Sequence, residues 1–291
     1  MSLATGDQEA RDVARPVGVD PAAYLGHIGC SGVTGTGAGA LRELQRRHLA
    51  AVPFENLDVL RGVPLPDTTG KAFGKLVDRG RGGLCFELNR CFGELLVELG
   101  FRVTLIAAEV AHRDGFVEGV DHPLLMVAAE SEWWLVDVGF GGFSALEPLR
   151  FDHPGPQRQF GVTYRVGIEG DHRVVCRQEA GGAWTPLFRT EVSPAARSWA
   201  DFDEVRAFHE TSPESPFTRK VICSKATASG QVLLAGRRLA VLQDGELFEA
   251  ELDSGGPVFG AALGWILYGH GEFAPALTLG FDRQATPSTL D

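Results

Sequence analysis

The stretch RGRGGLCFELN, Arg79 to Asn89, places a cysteine where a glycine-rich loop turns into a helix. From there Cys85, Leu88, Phe92, Leu95 and Leu99 recur at the helical period as an apolar stripe, with Glu87, Arg90, Glu94 and Glu98 off it. Gly100 stands where a helix commonly ends in glycine. A cysteine can sit at such a helix start simply as a small buried apolar residue. A helix N-terminus, however, carries partial positive charge and free N–H groups, and both favour thiolate over thiol. Arg79 and Arg81 would add to that field. Gly82 and Gly83 would let the backbone approach a ligand or aim N–H groups at a developing oxyanion. Cys91 has neither loop nor helix start beside it and reads as core.

Upstream of this stretch the chain reads as helical. Asp20 followed by Pro21 marks a helix start, with Ala22, Leu25 and Ile28 on one face. Leu41, Leu44, His48 and Ala51 recur at helical spacing and stop before Pro53, and Asp67 is placed to cap a helix carrying Ala72, Phe73, Leu76 and Val77. Arg46-Arg47-His48 reads as a solvated face, although His48 falls on the apolar stripe. After Gly100 the period changes to two. FRVTLIA, HPLLMVAA, EWWLVDV, TYRVGI and RVVCRQ read as antiparallel strands of a barrel or sandwich. A helical stretch from about Arg197 to His209, a linker SPESPF, and strands KVICSKA, QVLLAG, RRLAVLQ and ELFEAEL follow. Boundaries are drawn near residues 100 and 212.

A thiolate nucleophile needs a histidine, and the histidine needs a group to orient it. His122 opens HPLLMVAA and Asp137 lies in EWWLVDV. A turn centred between Glu130 and Ser131 sets Asp137 opposite Leu124, with His122 a diagonal step away on the same face. A one-residue slip would send Asp137 to the other face. Asp137 is also a carboxylate among Trp133, Trp134, Leu135, Val136 and Val138, costly to bury unless paired or hydrogen-bonded. His112, His153 and His172 sit in polar, turn-like surroundings and read as surface; His209 and His270 remain candidates for a pocket.

The formal net charge is −11, with an isoelectric point near 5.2. No basic concentration displaces counterions, which argues against a nucleic-acid or anionic-membrane partner but not against a small anionic cofactor. The five cysteines and eight histidines show no metal-ligand spacing, so no metal is expected. The odd cysteine count and irregular spacing fit free thiols in a reducing compartment. The N-terminal MSLATGDQEARD lacks a secretory pattern, and VFGAALGWILYG is too short to span a bilayer, so a cytoplasmic location is expected. GTGAG at Gly35 to Gly39 lacks the strand and spacing of a dinucleotide fingerprint.

VPFENLDVL (Val52 to Leu60), RGRGGLCFELN, DHPLLMV around His122 and WLVDVGFGG (Trp134 to Gly142), with SPFTRKVICS (Ser215 to Ser224) more weakly, resemble the arylamine N-acetyltransferases. The cysteine–histidine and histidine–aspartate separations of 37 and 15 residues suit that family. The resemblance implies an α+β multidomain fold with a cysteine-protease-like core. A helical bundle (1–100) would carry the nucleophile and an antiparallel β-barrel (101–198) the His and Asp; an interdomain helix or linker (199–212) and an α/β lid (213–291) would follow. It implies Cys85 as nucleophile, His122 as base and Asp137 as orienter. It also implies Phe54 and Phe140 as walls of the acceptor pocket, and Gly139, Gly141 and Gly142 near the acyl-CoA approach. Acetyl-CoA would acylate the cysteine, and an aromatic amine or hydrazine would take the acetyl group. Leu84 stands where the family commonly has an aromatic, and Pro123 directly follows the histidine. Some members are amide synthases that close macrolactams from carrier-bound polyketides, the alternative kept here. Transglutaminases and papain-like hydrolases share the residue order but do not account for PFENLD or DVGFGG. A non-catalytic binding protein would show an ordinary thiol at Cys85.

Overall fold

The computed structural model describes residues 18–178, 182–270, 273 and 282–283. Residues 1–12, read above as lacking a secretory pattern, lie outside the described residues. The first segment carries α1 (Pro21–His27), α2 (Ala38–Ala51), a short strand β1 (Phe54–Glu55), α3 (Leu57–Leu60) and α4 (Thr69–Phe73). A π turn over Gly74–Asp78 and α5 (Cys85–Glu98) complete it. Asp20 caps α1 as its sequence predicts, accepting from the amides of Ala22 and Ala23. At α4 the cap is Thr68, which accepts from Lys71, rather than Asp67.

Helix α5 is the axis of the molecule. Eleven of its fourteen residues are buried, Glu87, Asn89 and Arg90 among them. Glu87 and Arg90 were expected on a polar face, but neighbours cover the helix nearly all round, and these polar groups find partners inside. The Arg90 guanidinium donates to the Asp67 carbonyl at 2.5 Å and lies over the Trp199 ring.

The strands that follow are β2 (Arg102–His112), β3 (Gly115–Phe116), β4 (His122–Ala129), β5 (Glu132–Val136) and β6 (Leu149–Arg150). Beyond them come β7 (Gln157–Gln159), β8 (Val162–Glu169), β9 (His172–Gln178) and β10 (Trp184–Glu191). They form one antiparallel sheet in the order β6-β5-β4-β2-β10-β9-β8-β7, with β3 on β2. The two end strands, β6 and β7, are joined by side chains instead of a backbone ladder. The Gln157 amide receives from Arg150 N at 2.8 Å and donates to Arg150 O at 3.1 Å. Gln159 does the same with Glu147, at 2.9 Å each way. Each glutamine supplies the donor–acceptor pair that a strand residue would supply, so side chains bridge the seam of a nearly closed barrel.

The β4–β5 hairpin has the register the sequence predicts, with Leu125 opposite Val136 and Ala129 opposite Glu132. Its turn holds Glu130 and Ser131 at φ 53° and 66°, the left-handed pair that a two-residue hairpin requires. The Glu130 carboxylate then receives the Ala38 amide at 3.1 Å and caps α2, whose own N-cap is a glycine.

A 3₁₀ turn (Trp199–Phe202) leads to α6 (Asp203–Thr211). SPESPF, expected to be a linker, instead starts a short helix α7 (Pro216–Arg219), capped by the buried Ser215 hydroxyl. The second sheet, β1-β11-β12-β13-β14-β15, contains β11 (Ile222–Ala226), β12 (Gly230–Ala235), β13 (Arg238–Gln243), β14 (Glu246–Glu251) and β15 (Asp282–Arg283). The apolar stretch near residue 260, unassigned from sequence, is α8 (Pro257–Tyr268), which packs on this sheet through Ala262 and Ile266. The main core runs without a break from the helices into the barrel.

Candidate active site

Cys85 is the first residue of α5, buried at the junction of helix, barrel and loops. The glycines before it are needed for packing. A Cβ on Gly82 would stand 2.1 Å from the Pro53 carbonyl oxygen, and one on Gly83 would stand 2.5 Å from Glu87 Oε2. Gly83 also uses its N–H on the Pro53 carbonyl at 3.3 Å and its C=O on the Glu55 amide at 3.0 Å. The Gly83 backbone is thus not free to meet a ligand as the sequence suggests, and Gly82 has Pro53 and Glu55 packed where a Cβ would stand.

The arginine field is likewise redirected. Arg79 is exposed, and Arg81 donates to Glu55 at 2.6 Å and to Asp58 at 3.1 Å. Below it the buried Lys75 ammonium bridges Asp58 and Glu87, both at 2.8 Å. Glu87 in turn receives the Leu84 amide at 2.9 Å, closing the helix start. Burial pushes the Glu87 carboxyl up, against the pull of Lys75. Burial would lower Lys75, but Glu87 and Asp58 hold it above the ordinary lysine value. Two cations here meet three carboxylates, so the network leaves no spare positive charge to act on Cys85.

What faces Cys85 is His122, at the start of β4. Its Nε2 lies 2.8 Å from Asp137 Oδ2, which leaves Nδ1 as the ring nitrogen open to the thiol. Asp137 is one residue past β5 and fully partnered. Its Oδ1 receives Gly139 N at 2.8 Å and Asn89 Nδ2 at 3.0 Å. The cost of burying this carboxylate is met by three hydrogen bonds. Burial would raise Asp137, yet His122 and these donors hold it below the ordinary carboxylate value. Burial would likewise lower His122, and the Asp137 charge, with the hydrogen bond to Cys85, holds it well above its ordinary value. The Cys85 thiol is pushed up by burial while His122 works to bring it down. A thiol facing an imidazole tied to a carboxylate can pass its proton to the ring and leave a thiolate–imidazolium pair.

Asn89 was missed from sequence. It stands one helical turn beyond Cys85, donates also to the Pro123 carbonyl at 2.9 Å, and accepts from Val138 N at 2.9 Å. Its signal was available: an amide one turn after Cys85, in a helix otherwise rich in apolar residues. Gly139 is the closest approach of barrel to helix, since a Cβ there would stand 2.6 Å from Cys85 Cα.

A cavity of about 430 Å³ opens over Cys85 and His122. Phe54, Phe140, Gly139 and Gly142 line it. Gly141 does not; with φ at 77° it lies under the Phe54 ring, where a Cβ would stand 2.7 Å from Cζ, and it borders a separate small void. His112 is exposed, as its sequence context implies, and it also lines the large cavity, as does His209. His270 is exposed and away from it. Among the described residues no group of three or more His, Cys, Asp or Glu could hold a metal ion.

A helical unit pressing a cysteine against a barrel-borne histidine and aspartate defines an α+β protein with a cysteine-protease-like core. A family model described as N-acetyltransferase matches residues 39–256. The arylamine N-acetyltransferase of Mycolicibacterium smegmatis is 34% identical over 249 residues, covering 84% of this chain and 90% of that protein. Proansamycin X synthase of Amycolatopsis mediterranei (strain S699) is 34% identical over 236 residues, covering 78% and 88%. The solved structure of Mycobacterium marinum arylamine N-acetyltransferase in complex with CoA matches at TM-score 0.73 and 30% identity, covering 85% of this chain and 94% of that one. The chain belongs to the arylamine N-acetyltransferase family.

Proposed function

We propose that this protein moves an acetyl group from acetyl-CoA to the nitrogen of an aromatic amine or hydrazine through a thioester on Cys85, with His122 as base and Asp137 as orienter. The Cys85 thiolate attacks the acetyl carbonyl; a new C–S bond forms, and CoA leaves as the thiol with the proton held by His122. The amine then attacks acetyl-Cys85, passes its proton to His122, and leaves as the amide with the thiolate restored. Phe54 and Phe140 form apolar walls for the ring, and the donor approaches along the wall that Gly139 and Gly142 line. The observation that carries this reading is the buried Cys85–His122–Asp137 arrangement at the floor of a largely apolar cavity.

Acetyl-CoA enters this chemistry as a substrate, and the two transfers above need no metal. A cytoplasmic setting is supported by five cysteines that are all unpaired, a usage suited to a reducing compartment. Among the described residues no helix is long and apolar enough to cross a membrane. The net charge of −11 argues against a nucleic-acid partner. A division of the chain at about residues 100, 198 and 212 would give the bundle, barrel, connecting helix and lid separate tasks.

Intact mass after mixing with acetyl-CoA alone tests the reading. One acetyl adduct on Cys85 is expected, lost in Cys85→Ala and discharged by an arylamine. An adduct elsewhere, or transfer by folded Cys85→Ala, would overturn it. A second reading, closure of a macrolactam by the same residues, draws support from proansamycin X synthase, whose identity to this chain equals that of the acetyltransferase. It predicts acylation of Cys85 by a long-chain acyl thioester in preference to acetyl-CoA.

A further inference from the structure

A second carboxylate stands in the cavity beside the acyl-transfer residues and has no task in the steps above. Asp121 immediately precedes His122 and lines the same cavity as Cys85. It lies just before β4 begins, outside the alternation that turns neighbouring strand side chains to opposite faces, so it and His122 reach one cavity. The Val110 amide on β2 holds its Oδ2 at 3.4 Å. His209 Nε2 is 3.9 Å from its Oδ1, beyond direct hydrogen-bond reach. The Asp121 side chain is 11% exposed. Glu214, the other acidic residue described on this wall, is exposed and screened by water.

The Asp121 charge works against the nucleophile. Burial pushes the Cys85 thiol up, His122 pulls it down, and the Asp137 and Asp121 charges add to the rise. Asp137 offsets its share through His122, to which it is bonded at 2.8 Å. Among the described residues Asp121 makes no hydrogen bond to that ring. Its effect therefore falls on whatever charge each reacting group brings to the cavity. CoA reaches and leaves Cys85 through a sulfur bearing negative charge, which a nearby carboxylate opposes. A neutral amine instead gains positive charge on nitrogen as it forms its bond, and the same carboxylate favours that charge.

We propose that Asp121 sets how acetyl-Cys85 partitions between its two attackers, favouring a neutral amine over the returning CoA thiolate. The proposal rests on the acyl-transfer reading above. In the favoured step the amine nitrogen bonds to the acetyl carbonyl carbon, its proton passes to His122, and the C–S bond breaks to restore the Cys85 thiolate. In the disfavoured step the CoA sulfur forms the new C–S bond and the Cys85 thiolate leaves, with negative charge on sulfur throughout. Both steps use the same carbonyl and the same leaving group, so the charge of the attacker distinguishes them. Asp121 is a selectivity residue acting by charge. The class it selects is uncharged before attack and cationic during it, as amines and hydrazines are and thiolates are not.

The test times the two discharges separately at about pH 8, above the ordinary histidine range. Acetyl-Cys85, formed from acetyl-CoA and freed of CoA by rapid desalting, is mixed with aniline or with CoA, and loss of the acetyl group is followed by intact mass. In Asp121→Asn, discharge by aniline should slow and discharge by CoA should quicken, so their ratio falls about tenfold. A merely structural role would slow both together and leave the ratio intact. Where Asp121→Asn fails to fold, Asp121→Ser reads the same ratio, since it too keeps an acceptor for the Val110 amide. A ratio that stays or rises in a folded variant would overturn the proposal. Alkylation reads the same charge without an acyl donor. Iodoacetamide is neutral and iodoacetate is its near-isostere with negative charge, so their rate ratio at Cys85 should also fall about tenfold in the variant. An unchanged alkylation ratio would likewise overturn it. Failure of the underlying reading is separate, because Cys85 then gains no acetyl group while the alkylation ratio still responds to Asp121.

Discussion

Asn89 Nδ2 stands 3.0 Å from Asp137 Oδ1, so the helix turn that presents Cys85 also holds the carboxylate behind His122. Cys85 and Asp137 are thereby both positioned by one helix, although they lie on different elements. Replacing Asn89 by Ala removes this bond and also leaves the Pro123 carbonyl and the Val138 amide without their partner. The expected cost is about 1–3 kcal/mol of stability, with slower alkylation of Cys85. Urea denaturation and iodoacetamide inactivation measure the two; unchanged inactivation in a folded variant would make Asn89 a packing residue only.

Asp137→Asn preserves shape but removes the charge that raises His122. In a serine triad this change costs on the order of 10⁴ in turnover. A cysteine is intrinsically more acidic and nucleophilic, so a loss of roughly 10²–10³ is expected here. The pH midpoint of Cys85 alkylation should rise, because an imidazolium held less firmly stabilises the thiolate less. Superimposable profiles for the two folded proteins would make Asp137 structural.

Gly139→Ala places a Cβ 2.6 Å from Cys85 Cα, where only backbone can yield. Overpacking of this kind costs about 1–3 kcal/mol, and the displacement falls on Cys85, the proposed nucleophile, so kcat should drop at least about tenfold. Gly26→Ala is the control, since nothing lies within 4 Å of its Cβ. It should leave activity alone and raise the thermal midpoint slightly, through helix propensity.

His48 is fully buried against Tyr24 and Phe92, with Nδ1 2.9 Å from the Tyr24 hydroxyl and Nε2 without a partner among the described residues. Burial lowers its pKa to about 3, with His27 adding a smaller push. The unfolded chain takes up this proton near pH 6.5 and the folded one only near pH 3, so stability falls as pH drops through that window. The slope is about 1.4 kcal/mol per pH unit from this one group. In His48→Gln the urea midpoint should be flatter over pH 6.5–4; an equal slope would assign the acid sensitivity elsewhere.

The barrel seam gives a prediction about stability alone. Gln157→Ala together with Gln159→Ala leaves the edge groups of Glu147 and Arg150 without their side-chain partners. Loss of about 1–3 kcal/mol is expected, with faster hydrogen exchange at the Glu147 and Arg150 amides and no change at the hairpin. Uniform exchange across the barrel would mean that the seam is held by other contacts.

Local chemistry determined much of this protein from sequence alone. Apolar spacing marked α2, α5 and the strands, and the period change at Gly100 marked where helix gives way to sheet. The His122–Asp137 relation was legible because both lie on one hairpin, where a two-residue turn dictates register over a few residues. Contacts between distant segments had no such local signature. Only the folded chain decided that Arg81 serves Glu55 and Asp58, that Gly82 and Gly83 yield space to Pro53 and Glu87, and that Gly141 lies under Phe54. It also decided that Glu87 and Arg90 are buried, because a polar residue reads as exposed until its partner is known. The same holds for His112 and His209, whose place on the cavity wall comes from how β2 and α6 converge over Cys85. Sequence periodicity reports which face of an element is apolar; the identity of what meets that face is set by tertiary packing.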